Sequence, residues 1–252
     1  MTASRAFWPF VLRWGSVIGV LIIVEILVRY NILNQYVLPR PSEILGSLGR
    51  LVTEENVLGY FAITMLEVGV AAIGLIAIGI PFGIFLAYRH DFRHAWRDWI
   101  AGLAAAPVVL MYPLFLVVFG RGPMTITMIA LVTGLPPVIL NAMQGVNGTR
   151  EVLLNVGRSF NLSSQQQFWK IVLPSALPQI FLGLRLGLIY TMITVVAVEY
   201  LITLGGLGQL VGELAERYDL AATYAAVCFV VGVSILFFVF LEWVERWLRL
   251  SA

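Results

Sequence analysis

Apolar residues in this chain run on unbroken instead of alternating with polar ones. Six runs stand out, at about 11–28, 61–88, 99–119, 124–143, 177–204 and 221–241. A helix needs roughly 20 apolar residues to cross the hydrocarbon of a bilayer, and these runs approach or exceed that length. Lipid offers no partner to a free backbone N–H or C=O, so only helices and closed barrels span it. Continuous runs predict helices, whereas barrel strands alternate. The pattern therefore predicts an all-α, polytopic membrane protein of about six transmembrane helices, one domain over 1–252. The first run is longer than a cleavable leader, and no small-residue cleavage pattern follows it before Asn31.

One stretch breaks the pattern. "NVGRSFNLSSQQQFWKIVLP", from Asn155 to Pro174, crowds hydroxyls, amides and two cations between the fourth and fifth runs. Just before and within it, Val152, Val156 and Phe160 recur at i, i+4 and i+8, which predicts one apolar stripe on a short helix. Asn161 follows, the non-glycine residue best suited to a left-handed helix end. Ser163 with Gln166 three residues on forms a capping box that opens a second short helix. Pro174 and Pro178 are expected to close it, since neither continues a helical hydrogen bond. The whole, about 147–176, is a helix–turn–helix elbow. It either lies on the lipid headgroups or plugs a groove on a soluble partner with Leu162 and Phe168.

Composition sharpens this reading. The chain is 60% hydrophobic and 12% charged, with a mean hydropathy of +0.91, where a soluble domain is about one quarter charged. A net charge of +2 with dispersed cations gives no nucleic-acid footprint. The single cysteine, Cys228, excludes an internal disulfide. With the amino terminus in the cytoplasm, that side carries Arg5, Arg13, Arg89, Arg93, Arg97, Arg150, Arg158, Lys170, Arg246 and Arg249. The opposite side keeps Arg29, Arg40, Arg50, Arg121 and Arg217. The positive-inside bias thus puts both termini and the elbow in the cytoplasm.

Charges inside the runs are costly and therefore informative. Glu199, late in the fifth run, either lines a path or makes a structural bond between helices. Glu67, at the start of the second, reads as structural. Glu25 reads as snorkelling to water and Arg185 as a structural cation. Gly69, Gly74, Gly79 and Gly83 punctuate the second run, and Gly183 and Gly187 form a small-xxx-small pair in the fifth, spacings that let helices approach closely. His90 and His94 lie among Arg89, Arg93 and Arg97, which repel a metal, so a solvated basic turn is expected and no metal site. No phosphate-binding glycine loop ends in Gly-Lys-Ser/Thr, and Lys170 is the only lysine. Two classes of function are open: a transport subunit, or an intramembrane enzyme or accessory membrane subunit using Glu67, Glu199 or His90.

Further motifs narrow the choice. The elbow resembles the cytoplasmic "EAA" loop of the permease subunits of bacterial ABC importers, which reads E-A-A, three residues, G, nine residues, I-x-L-P. Ile171, Leu173 and Pro174 match its end. The glycine falls on Asn161, and the E-A-A on Asn155, Val156 and Gly157. "VLPRPSEIL", "GIPFGIFLAYR", "LPSALPQIFLGLRLGL" and "VEYLITLGGLGQLV" are similar to segments of importers of nitrate, sulfonates, taurine, bicarbonate and vitamin precursors. The resemblance implies an inner-membrane permease paired with a second copy or a paralogous permease and surrounded by membrane lipid. It implies a cytoplasmic ABC ATPase dimer that docks the elbow, and a periplasmic or lipid-anchored solute-binding protein. ATP and Mg would be bound by the ATPase, and no cofactor by this chain. Glu67 departs from the family, which usually carries arginine there.

Overall fold

The structure is a computed structural model that describes residues 3–250, with side chains described for 12 and 15–246. Arg5, Arg13 and Arg249, counted in the charge bias, have side chains outside those described. Helices follow one another in the order α1 (Ala3–Arg29), α2 (Pro41–Thr53), α3 (Val57–Gly74), α4 (Ile80–Tyr88), α5 (His90–Ala105), α6 (Tyr112–Phe119) and α7 (Pro123–Asn147). After these come α8 (Glu151–Ser159), α9 (Ser164–Gln167), α10 (Leu173–Ile202), α11 (Gly206–Glu216) and α12 (Leu220–Leu250). No strand occurs among the described residues.

Among the described residues, four helical stretches are long and apolar enough to cross a membrane: Val57–Tyr88, Pro123–Asn147, Ser164–Ile202 and Leu220–Arg246. The first run of the sequence lies on α1, and the third differs from a straight span. There, α5 and the segment Val108–Phe119 meet at 89°. Pro107 causes the break: its ring excludes the residue before it from helical space, and Ala106 is extended at φ −74°, ψ 137°.

Prolines act differently where helices continue. Pro174 and Pro178 do not close the second elbow helix. A π turn over Phe168–Val172 joins α9 to α10, and the Leu173 N–H reaches back to the Phe168 carbonyl. A second π turn, Leu75–Gly79, joins α3 to α4. Each ends two residues before a proline, Pro174 and Pro81 respectively. A proline supplies no N–H, so the turn before it already lacks one helical bond, and a wider turn there costs less than elsewhere.

Backbone contacts divide the chain into two compact units. One comprises the chain up to Gly59 with Leu210–Val231. In it, Glu25 does not simply reach for water: its carboxylate accepts the Ser42 N–H at 3.1 Å and the Ser42 hydroxyl at 2.9 Å. This puts a negative charge on the first turn of α2, where the helix dipole favours it. Arg217 is held by Glu55 at 3.1 Å, and Asp219 caps α12 by accepting the Ala222 N–H at 3.1 Å.

The other unit, Tyr60–Gln209 with the chain from Gly232 on, is built around α7. Some 67% of the apolar window of α7 is buried, against 17% for α12. Ile126, Ile129 and Ala130 of α7 pack with Val68 and Ala71 of α3 and with Met192, Val195 and Val198 of α10. Small residues set the distance between α7 and α10. A Cβ on Gly187 would lie 2.8 Å from the Gly134 carbonyl and 2.6 Å from Val138, and one on Gly183 would meet Pro137 and Asn141. Gly187→Ala is therefore expected to destabilise the fold by about 1–3 kcal/mol through overpacking. Gly232→Ala, with nothing within 4 Å, should be near neutral, and thermal unfolding of both variants in detergent checks the contrast.

Candidate functional site

The elbow is assembled from its own backbone. At the end of α8, Asn161 takes the left-handed conformation at φ 51°. Its N–H bonds the Arg158 carbonyl at 2.9 Å, and the Leu162 N–H bonds that of Gly157 at 3.0 Å. This pair of bonds is a Schellman motif, and it satisfies carbonyls that a helix end otherwise leaves free. Ser163 then caps α9, accepting the Gln166 N–H at 3.3 Å and donating its own N–H to the Gln166 side chain at 3.0 Å. Gly157 is buried, and a Cβ there would sit 2.6 Å from Ile171, so the two arms of the elbow close on each other at this glycine.

Outward, the elbow presents the predicted stripe. Val152, Val156 and Phe160 are 70%, 47% and 76% exposed. Leu162 and Phe168, the tip residues named from sequence, are only half-buried. Phe168 turns inward, edge-on to Tyr88 at 6.3 Å, and packs on the cluster of Ala142, Val146, Val172 and Ala176. Asn155 is exposed and accepts a bond from Arg158 at 3.2 Å. Leu173 is half-buried and Pro174 exposed.

Glu199 and Glu67, far apart in sequence, come together. Glu199 is fully buried on α10. One of its oxygens accepts the Thr64 hydroxyl at 2.7 Å and the other the Gly208 N–H at 2.9 Å. Thr64 in turn accepts the Leu207 N–H at 2.9 Å. The carboxylate thus satisfies the first turn of α11, directly and through Thr64. The turn that brings those amides in requires Gly205 and Gly206 at φ 115° and 82°, and a Cβ on Gly206 would collide with the Glu199 carboxylate. Glu67, 1% exposed, hydrogen-bonds Glu199, while its Oε2 has no partner. Two carboxyl groups bond each other only through a proton carried on one of them. This arrangement is a clamp between α3, α10 and the loop after α10. Nothing in the sequence pairs Thr64 or the two amides with Glu199, because the amides belong to the backbone.

Arg185 bonds Glu245 at 2.9 Å and lies 4.4 Å over the Phe238 ring, which accounts for it as a structural cation. The Nε2 atoms of His90 and His94 are 3.2 Å apart in an exposed position. Among the described residues, no group of three or more His, Cys, Asp or Glu is arranged to hold a metal.

The family model for "Binding-protein-dependent transport system inner membrane component" matches residues 79–250. The taurine transport system permease protein TauC of Escherichia coli is 25% identical over 218 residues, covering 83% of this chain and 79% of that protein. The glycine betaine/proline betaine transport system permease protein ProW of the same organism is 30% identical over 175 residues. That match covers 69% of this chain and 49% of ProW, so the chain spans about half of that relative. A chain from crystals of the MetNI methionine ABC transporter in inward facing conformations superposes with a TM-score of 0.67 at 17% identity. It covers 76% of this chain and 95% of its own length, a likeness of fold.

Proposed function

The chain belongs to the family of binding-protein-dependent transport system inner membrane components, and from that premise we propose how this ABC importer permease divides its work. The α8–α9 elbow docks into a cytoplasmic ATPase dimer. The observation that carries this is the exposed stripe Val152, Val156 and Phe160 on a helix whose C-terminal carbonyls are already satisfied internally. Such a stripe is an amphipathic face without an occupant, suited to a groove on a soluble partner. Asn155 brings no charge where the resemblance expects an acid, and its amide oxygen bonds Arg158. Charge-assisted bonds are roughly twice as strong as neutral ones, so attachment leans on the apolar stripe.

Both termini lie in the cytoplasm, and the solute path forms with a second copy or a paralogous permease. A periplasmic or lipid-anchored binding protein delivers and selects the cargo. ATP and Mg bind the ATPase, and this chain catalyses nothing by itself. Glu199 with Glu67 and Thr64 serves as a structural clamp, and Gly183 with Gly187 serves helix packing. An enzymatic role for Glu67 or Glu199 draws no support: Glu199 is spent on Glu67, the Thr64 hydroxyl and the Gly208 N–H, and both carboxyls are sealed from solvent.

Two measurements test this reading. With Cys228 replaced, cysteines at Ser47 and Gln165 should label from the periplasm and the cytoplasm respectively. Labelling of Gln165 from outside intact cells reverses the orientation. The purified chain should hydrolyse no ATP, and the assembly with its ATPase should hydrolyse faster with loaded binding protein. Solute-stimulated hydrolysis by the chain alone would overturn the assignment.

A further inference from the structure

A second feature lies where two spans end. A cavity of about 570 Å³ opens between α5 and the last turns of α7. Arg93, His94 and Arg97 line it from α5, with Gln144 and Asn147 opposite. No carboxylate lines it: Asp91 and Asp98 share α5 but are absent from the wall, and Asp91 lies 3.8 Å from His90. Arg93 is half-buried and oriented by one bond to Asn147 at 3.0 Å. That bond uses one of the five N–H donors of a guanidinium. Among the described residues, neither Arg93 nor Arg97 has an ion-pair partner, so the cavity wall carries uncompensated positive charge.

Its depth is set by its neighbours. α5 begins just after Tyr88, where the span Val57–Tyr88 ends, and Asn147 is the last residue of the span Pro123–Asn147. Phe92, Trp96 and Trp99 of α5 are exposed, and tryptophan concentrates at the membrane interface. Trp96 is anchored edge-on to Phe82 at 6.0 Å, and Phe92 to Phe85 at 5.6 Å. These anchors hold the aromatic residues of α5 against α4, while Arg93, His94 and Arg97 line the cavity. The cavity therefore sits at the level of phospholipid phosphates.

We propose that this cavity binds the phosphate of an anionic phospholipid headgroup. Two guanidinium groups one helical turn apart supply the forked donors that phosphate oxygens accept in pairs, and Gln144 and Asn147 supply amides for the remaining polar atoms. Basic pockets between spans at the membrane surface hold anionic headgroups on the same grounds. The site needs only an interface, so it stands whichever face of the protein meets the cytoplasm and whether or not the elbow docks an ATPase.

Native mass spectrometry of the delipidated full chain, offered phosphatidylglycerol and phosphatidylcholine together, tests it. Phosphatidylglycerol should be retained in preference, and Arg93→Gln with Arg97→Gln should lower that retention about tenfold. Arg93→Lys with Arg97→Lys should keep only part of it, since lysine preserves the charge but not the fork, and Arg246→Gln all of it. Asn147→Asp, which leaves both arginines but adds a negative charge to the wall, should also weaken it. That variant decides the matter should the double glutamine variant not fold. Equal retention of the two lipids, or unchanged retention in the glutamine and aspartate variants, overturns the proposal. A parallel arm adds inorganic phosphate: displacement of the lipid at submillimolar concentration would make a soluble anion the occupant and overturn the lipid assignment.

Discussion

Replacing Val156 and Phe160 together by Asp is expected to release the ATPase from the membrane subunit and abolish uptake, with the helical bundle intact. Both side chains are exposed, so the change removes nothing from the core. In a docked groove each becomes a desolvated carboxylate, and a buried anchor residue is commonly worth 2 kcal/mol or more. Two such losses weaken binding by roughly a thousandfold if they add. Copurification of the ATPase with the variant, beside unchanged thermal unfolding, is the measurement. Full binding and uptake would make the elbow a headgroup-lying loop. Leu162→Asp with Phe168→Asp reads differently. Phe168 packs on Tyr88 and the α7–α10 cluster, so that variant should lose stability as well as attachment.

The other large effect belongs to Glu199. Its removal as Glu199→Ala strands the Gly208 N–H and the Glu67 carboxyl in a buried site and opens a cavity, while Thr64 falls back on the Tyr60 carbonyl at 3.3 Å. Each buried unsatisfied group costs about 1–3 kcal/mol, so a loss of about 2–5 kcal/mol is expected. Glu199→Gln, which keeps one acceptor, should lose less. Glu67→Gln should be nearly neutral, because an amide can donate to Glu199 without a bound proton. Thermal unfolding in detergent orders the three. If Glu199→Ala melts with the wild type while transport fails, Glu199 lines the solute path and the clamp reading is wrong.

These sites differ in how far they were readable from the chain. The elbow was legible in detail because its determinants are local: Asn161 and the Ser163–Gln166 box act within a few residues, and the stripe repeats at helical spacing. The apolar runs marked the long helices for the same reason. Misreadings arose where one residue type has two outcomes. Proline was expected to end the second elbow helix, yet a π turn lets the helix pass Pro174, while Pro107 inside an apparent span breaks it at 89°. The partners of Glu199 were invisible because a backbone N–H has no letter in the sequence, and because Thr64 is 135 positions away. Helices α2 and α11 fall between the runs; Ile44, Leu48 and Leu51 in the one and Leu207, Leu210, Val211 and Leu214 in the other recur at helical spacing, a signal too short to stand out beside the long apolar runs.

The unbroken course of the helix through the elbow has a mechanical consequence. Ser164–Ile202 is one rod of 39 residues, which at 1.5 Å per residue is about 58 Å long. One end carries the capped arm of the elbow, and Glu199 sits in the last turn at the other. A push or a twist on the elbow is thus delivered along a stiff shaft to the far clamp, with no relay of side-chain contacts needed between them. Compliance is concentrated at the single wide turn beside Pro174, so stroke and torque at the two ends are expected to be linked through that joint.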